Sequence, residues 1–182
     1  PLYTMNDWNL GGGTFNWQGG PVSVNNVTLH NSSTWNGNSD VTINGAFDWA
    51  NASVIGAGTG VVMLNGGGSV SGSWNHDLVG RQLINAAGST WVWSPSGNYY
   101  FQTGQGSVLE NRGLLDIQSD RSYLAYYGGS SLVDNSGTLR KSGGAGTTTF
   151  SVPFNNSGTV EAQSGRLAFT ADGSHTGTFA NS

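Results

Sequence analysis

Cysteine is absent from the 182 residues, so neither a disulfide framework nor a thiolate metal site can form. That does not fix the compartment, because a secreted protein can do without disulfides. Charge is scarce: Asp, Glu, Lys and Arg make up 9% of the chain and the net charge is −4, so nothing draws it to nucleic acid. Residues 1–80 hold no Lys or Arg at all, only Asp7, Asp40, Asp48 and Asp77. No run of 18 apolar residues occurs, and no membrane insertion through a helix is expected. Helical periodicity is also missing, since no stretch carries an apolar stripe at i, i+3, i+4 and i+7. The chain opens on Pro1 rather than Met and reads as processed or excised, any targeting segment already gone.

What is abundant is glycine, 30 residues, with Asn, Ser and Thr around it and aromatics at 11%. Low charge with this many aromatics argues against an unfolded coil, and glycine without a strict triplet excludes collagen. The length suits one domain, 1–182, with two textures. Residues 1–80 are acidic and Trp-rich, and all seven Trp lie at or before Trp93. Residues 81–182 are more regular and hold all six basic residues.

The regularity is a repeat. "NSGT" occurs at Asn135 and again at Asn156, each time followed by an aliphatic residue. "NRGLL" at Asn111 and "NAAGSTW" at Asn85 extend the series backwards, and the glycines Gly88, Gly113, Gly137 and Gly158 stand 25, 24 and 21 residues apart. Upstream, "NSSTW" at Asn31, "NGAFDW" at Asn44, "GGTFNW" and "VSGSW" fit only loosely. Between turn signals the segments alternate with period 2, as in "TVEAQSG" and "LLDIQSD", which is the signature of strands. A sandwich or barrel needs no repeat, whereas a parallel β-solenoid spends one repeat on each coil. The spacing therefore predicts an all-β solenoid of roughly eight coils, on the order of 38 Å tall at about 4.8 Å per coil, with no substantial helix. Asn85, Asn111, Asn135 and Asn156 are expected to stack at one corner and bond along the axis, with the four glycines supplying the positive φ the corner needs. No amphipathic helix caps either end, which suggests a piece of a longer repeat protein or end-to-end self-association.

"LRKSGGAGTTTFSVPFNNSGTVEAQSGRLAF", followed by "GSHTGTF", resembles a repeat common in very large bacterial secreted and cell-surface proteins with adhesin-like or autotransporter-like β-helical passengers. "GTFNW", "STWVWSPSG" and "GRQLINAAG" look like upstream parts of it, and the likeness is closest from about Val79 to Ala180. The resemblance implies a right-handed parallel β-helix in an extracellular or cell-surface architectural or adhesive protein. It carries over no catalytic residue.

Residues that could carry chemistry are few. His76 and Asp77 in "WNHD" would make an acid–base pair, but neighbours on a strand point to opposite faces, and a polar turn is the plainer reading. His30 and His175 are isolated, so no metal and no cofactor is assigned. Asp116, Arg140 and Glu161 each lie three residues after a repeat glycine and should form one column, an ion-pair ladder rather than a catalytic carboxylate pair. "GGAG" at Gly143 lacks the Asp of a calcium-binding turn. "TTTF" at Thr147 is a single run, too little for a flat threonine array, and the sequons at Asn26, Asn31, Asn51 and Asn155 are incidental in a bacterial protein. Phe15/Trp17, Phe47/Trp49 and Trp91/Trp93 share an i, i+2 pattern and should face inward, with an exposed sugar-binding platform as the alternative. Consecutive aromatics cannot both point inward, so Tyr99, Tyr100, Tyr126 and Tyr127 are the candidate contacts for a ligand or partner.

The sequence thus favours a non-enzymatic structural module, a rigid rod or spacer that can stack end to end into filaments. A carbohydrate-binding or adhesive module, with polysaccharide as partner, is the alternative. A polysaccharide-degrading enzyme is the third and weakest reading, because the first 80 residues hold no base to neutralise a uronate and Lys141 is the only lysine.

Overall fold

A computed structural model of the chain describes residues 2–51 and 53–181. Short period-2 segments separated by Gly, Asn and Ser give strands of two to five residues, from β1 (Tyr3–Met5) to β25 (Thr178–Asn181), and no helix among the described residues. Up to β24 each strand pairs in parallel with the strand three places on in the chain, and β23 pairs with β25, which builds three parallel sheets: sheet A of eight strands, sheet B of nine and sheet C of eight. The result is a β-solenoid of about eight turns, with β25 beginning one more pass along sheet B.

Sheet A shows the pitch of the coil. Tyr3, Val22, Val41, Val62, Leu83, Leu109, Val133 and Phe154 lie in register, one per turn, separated by 19, 19, 21, 21, 26, 24 and 21 residues. The extra residues of the long coils go to corners, because strand register permits no insertion without turning every side chain over. Inward positions of the three sheets meet in one core, in which Trp35, Phe47, Trp49, Ile55, Leu83 and Val133 are fully buried.

The Phe and Trp pairs face inward. Phe47, Trp49, Trp91 and Trp93 are buried, and Phe15 and Trp17 are half-buried in the first turn. On sheet C, Phe101, Tyr123, Phe150 and Phe169 form one inward column. Their rings stack with centroids 4.6, 5.7 and 5.4 Å apart.

Gly113, Gly137 and Gly158 stack at the corner between sheets A and B, but not for the expected reason. None of the three has a positive φ. A Cβ on Gly137 would strike the Gly113 carbonyl, and one on Gly158 the Gly137 carbonyl, so glycine is required there by the close approach of successive turns. Gly88 stands outside this column. Asn85 and Thr90 are level with Asn111 and Leu114, so the turn between them is two residues longer, and Gly88 sits in that extra loop with φ 81°. The loosely fitting upstream phrases fall at different corners: "NGAFDW" leads into sheet B, while "NSSTW" and "GGTFNW" lead into sheet C.

Candidate functional site

The four asparagines form a ladder inside the corner. Asn85 Nδ2 donates to Asn111 Oδ1 at 2.8 Å, Asn111 to Asn135 at 2.7 Å, and Asn135 to Asn156 at 2.7 Å. All four are buried. The second proton of each of the first three amides goes to a carbonyl one turn on, at Leu114, Thr138 and Thr159. The ladder starts at Asn85 because Leu64 fills the slot in the preceding turn. The oxygen of Asn85 is instead met by the Ser89 hydroxyl at 2.6 Å, a residue presented by the longer corner. The amides of Asn85, Asn111 and Asn135 therefore have all their partners, as a dry interior demands.

Two cations do structural work that no motif in the chain signals. Lys141 occupies an inward column between Ile117 and Ala162 and is fully buried. Its ammonium donates to the Ser119 carbonyl, the Asp120 carboxylate and the Gly143 carbonyl at 2.7–2.8 Å, which uses all three protons. That bond holds the Asp120 carboxyl below its ordinary range. The "GGAG" segment wraps this carboxylate, since a Cβ on Gly144 or Gly146 would meet it. Arg81, also buried, reaches back into the base-free half of the chain. Its Nε donates to the Gly60 carbonyl at 2.9 Å and its guanidinium lies 5.3 Å from the Trp35 ring. Burial lowers its pKa to about 10.

His76 and Asp77 do not form a pair, and they lie on a strand, β12 (His76–Val79), rather than in a turn. His76 points into the core at the head of the Phe101–Tyr123–Phe150 column, edge-on to Trp49, and burial lowers its pKa to about 4. Asp77 points outward beneath the corner that follows β18 (Tyr123–Ala125). There the Tyr127 hydroxyl donates to its Oδ2 at 2.6 Å, while burial raises the Asp77 pKa against that bond. His30 lies 2.6 Å from Asn9 Oδ1, and His175 packs against Phe154 and Phe179 at the last turn. Among the described residues no three His, Asp or Glu side chains group as metal ligands.

Asp116, Arg140 and Glu161 do lie in one column on the outer face of sheet B. Arg140 bonds only Glu161, at 2.9 Å, whereas Asp116 accepts from Gln118, so the ladder has a single ion-paired rung. A shallow groove of about 340 Å³ runs past Gly113, Gly137, Arg112 and Arg140, but both arginines are engaged, Arg112 with Glu110 at 2.6 Å. Of "TTTF", Thr148 is buried and donates to the Ser119 carbonyl.

The four tyrosines fall into two groups on either margin of sheet C. Tyr99 and Tyr100 precede β15 (Phe101–Gly104), and Tyr126 and Tyr127 follow β18. Tyr100 is 42% exposed and Tyr126 65%, while Tyr99 and Tyr127 are half-covered. Beside the first group stands Trp74, 54% exposed and stacked on Tyr99 at 5.0 Å and 25°. Sequence reasoning grouped Trp74 with the repeat phrase "VSGSW", and no local signal separates it from the other tryptophans. At the last turn, a second apolar groove of about 430 Å³ is lined by Val160, Leu167, Phe169 and Phe179.

No family model, no curated protein and no solved structure matches the chain.

Proposed function

We propose that the chain is a non-enzymatic structural module, a rigid β-solenoid rod or spacer of an extracellular or cell-surface bacterial protein. One observation carries this reading: buried asparagines at one corner and a buried lysine bond from turn to turn. The asparagine ladder joins four turns, and the Lys141 ammonium ties its own turn to the preceding one. A body cross-linked in this way resists bending and local opening. The likeness to repeats of large bacterial surface proteins supports the location, and the apolar groove at the last turn supports end-to-end stacking into filaments. Limited proteolysis and electron microscopy of the purified chain test it. The expected results are survival of the full-length band and concentration-dependent filaments. Early cleavage within 81–182 would overturn the rod, and clean monomers at high concentration would overturn the filament.

A second reading, a carbohydrate-binding or adhesive module, is favoured by the aromatic rings left outside the core along sheet C: Trp74, Tyr100 and Tyr126. Retardation of the chain in gels that contain polysaccharide supports it, and no retardation by any polysaccharide overturns it.

A further inference from the structure

We propose that Trp74, Tyr99 and Tyr100 form a binding site for a neutral polysaccharide chain. The proposal rests on the carbohydrate-binding reading and gives it a location and a ligand class.

Trp74 departs from the pattern of the other tryptophans. Trp35, Trp49, Trp91 and Trp93 are buried, and Trp8 and Trp17 are half-buried at the first turn, but Trp74 lies in the middle of the stack with 54% of its surface exposed. The corner between sheets B and C explains how it is held there. That corner is short between Ala50 and Val54, lengthens between Ser71 and His76, and is longest between Trp93 and Phe101. The surface therefore steps outward from the third turn to the fifth, and Trp74 stands on the step. Tyr99, from the long corner, stacks on the Trp74 ring at 5.0 Å and 25°, and Trp74 still keeps more than half of its surface exposed. Tyr99 is itself backed by Gly97, whose φ of 77° bends the chain beneath it. Tyr100, next in the chain and exposed, has its backbone N–H fixed to Asn75 Oδ1 at 2.9 Å, in the same corner as Trp74. The site is thus held by corner geometry before any ligand arrives, and preorganisation of this kind is what a weak stacking ligand needs.

The chemistry of the rim selects the ligand. A flat, electron-rich face offers dispersion and C–H contact to the apolar face of a pyranose ring. Around it the two corners supply Ser71, Ser73, Asn75, Ser94, Ser96 and Asn98, hydroxyls and amides that exchange hydrogen bonds with sugar hydroxyls. Neither corner carries a charge. The charges on the flanking strands are both carboxylates, Asp48, which accepts from Ser69 at 2.8 Å, and Asp77, which accepts from Tyr127 at 2.6 Å, and the next turn adds Asp120, held by Lys141, and Arg121. An anionic glycan would find no partner on the step, whereas a neutral one loses no ionic hydration there.

Affinity electrophoresis through gels containing xylan, a β-glucan or galactomannan tests this, with polygalacturonate as the anionic control. The expected result is retardation by at least one neutral polymer, insensitive to added salt. Trp74→Ala should weaken it by about tenfold or more, the loss usual for a central aromatic contact. Tyr100→Ala should weaken it less, and Tyr126→Ala should leave it unchanged. Near-ultraviolet circular dichroism of each variant checks that the fold is kept, and Trp74→Phe should restore part of the binding. Retardation that survives Trp74→Ala but is lost in Tyr126→Ala would overturn this site while leaving carbohydrate binding standing. Salt-sensitive retardation by polygalacturonate alone would overturn the neutral ligand class. No retardation by any polymer would overturn the site together with the reading beneath it.

Discussion

In turns two to four the inner corner position of sheet A is filled by Val24, Ile43 and Leu64; in turns five to eight the same position holds Asn85, Asn111, Asn135 and Asn156. The first solution works by burying area, which has no direction and tolerates exchange among aliphatic residues. The second works by hydrogen bonds that each rung must both give and receive, so one side chain has to recur at every turn. In the aliphatic half the asparagines are still present but one residue later and exposed, at Asn25, Asn44 and Asn65. There Asn65 bonds Asn44 at 3.1 Å and Asn44 bonds Ser23. A one-residue shift carries an amide from the outside of a strand to the core.

The sharpest way to break this contrast is to give the second half the chemistry of the first. Asn135→Leu leaves one proton of the Asn111 amide without an acceptor and the Asn156 oxygen without a donor, each costing about 1–3 kcal/mol. A loss of about 3 kcal/mol or more is expected from denaturant unfolding, although the new side chain is the more hydrophobic.

A second test lies where the halves meet. His76 has its folded pKa lowered from 6.5 to about 4 by burial. The unfolded chain binds the proton more readily, so stability is full above pH 6.5 and falls as pH drops towards 4, by about 3 kcal/mol from this group. His76→Phe extends the aromatic column by one turn, and the fall in stability between pH 6.5 and 4 should shrink when melting is followed across that range.

Removing the cap of the ladder is a milder break. Ser89→Ala deprives Asn85 Oδ1 of its donor and should cost about 1 kcal/mol, read as a lower urea midpoint with an unchanged slope. The outer face should respond least. Glu161→Gln removes the partner of Arg140 at the surface, and the melting temperature should stay within measurement error.

The same contrast explains what could be read from the letters. The repeat is plain after residue 81 because a ladder of amides forbids substitution, and it blurs before that because Val, Ile and Leu serve equally well. The register of Asp116, Arg140 and Glu161 was legible, since counting from a glycine is safe where the corner length is constant. Gly88 was misplaced because its corner is two residues longer, and a repeat count cannot see an insertion that falls inside the repeat. Lys141 and Arg81 were illegible for another reason. Their acceptors are carbonyls of other turns, at Ser119 and Gly60, and backbone oxygens leave no mark in a sequence. The exposure of Trp74 likewise depends on the lengths of three successive corners, so it becomes visible only when the turns are superimposed.

The one-way order of the asparagine amides bears on how such a chain can change its size. A turn inserted between Asn111 and Asn156 would bring its own giver and its own receiver, and both neighbours would find what they had before. Growth or shrinkage by whole turns is therefore nearly neutral in this region, whereas any fraction of a turn would strand an amide in the dry interior. Descendants of such a gene should differ in length by multiples of a lap.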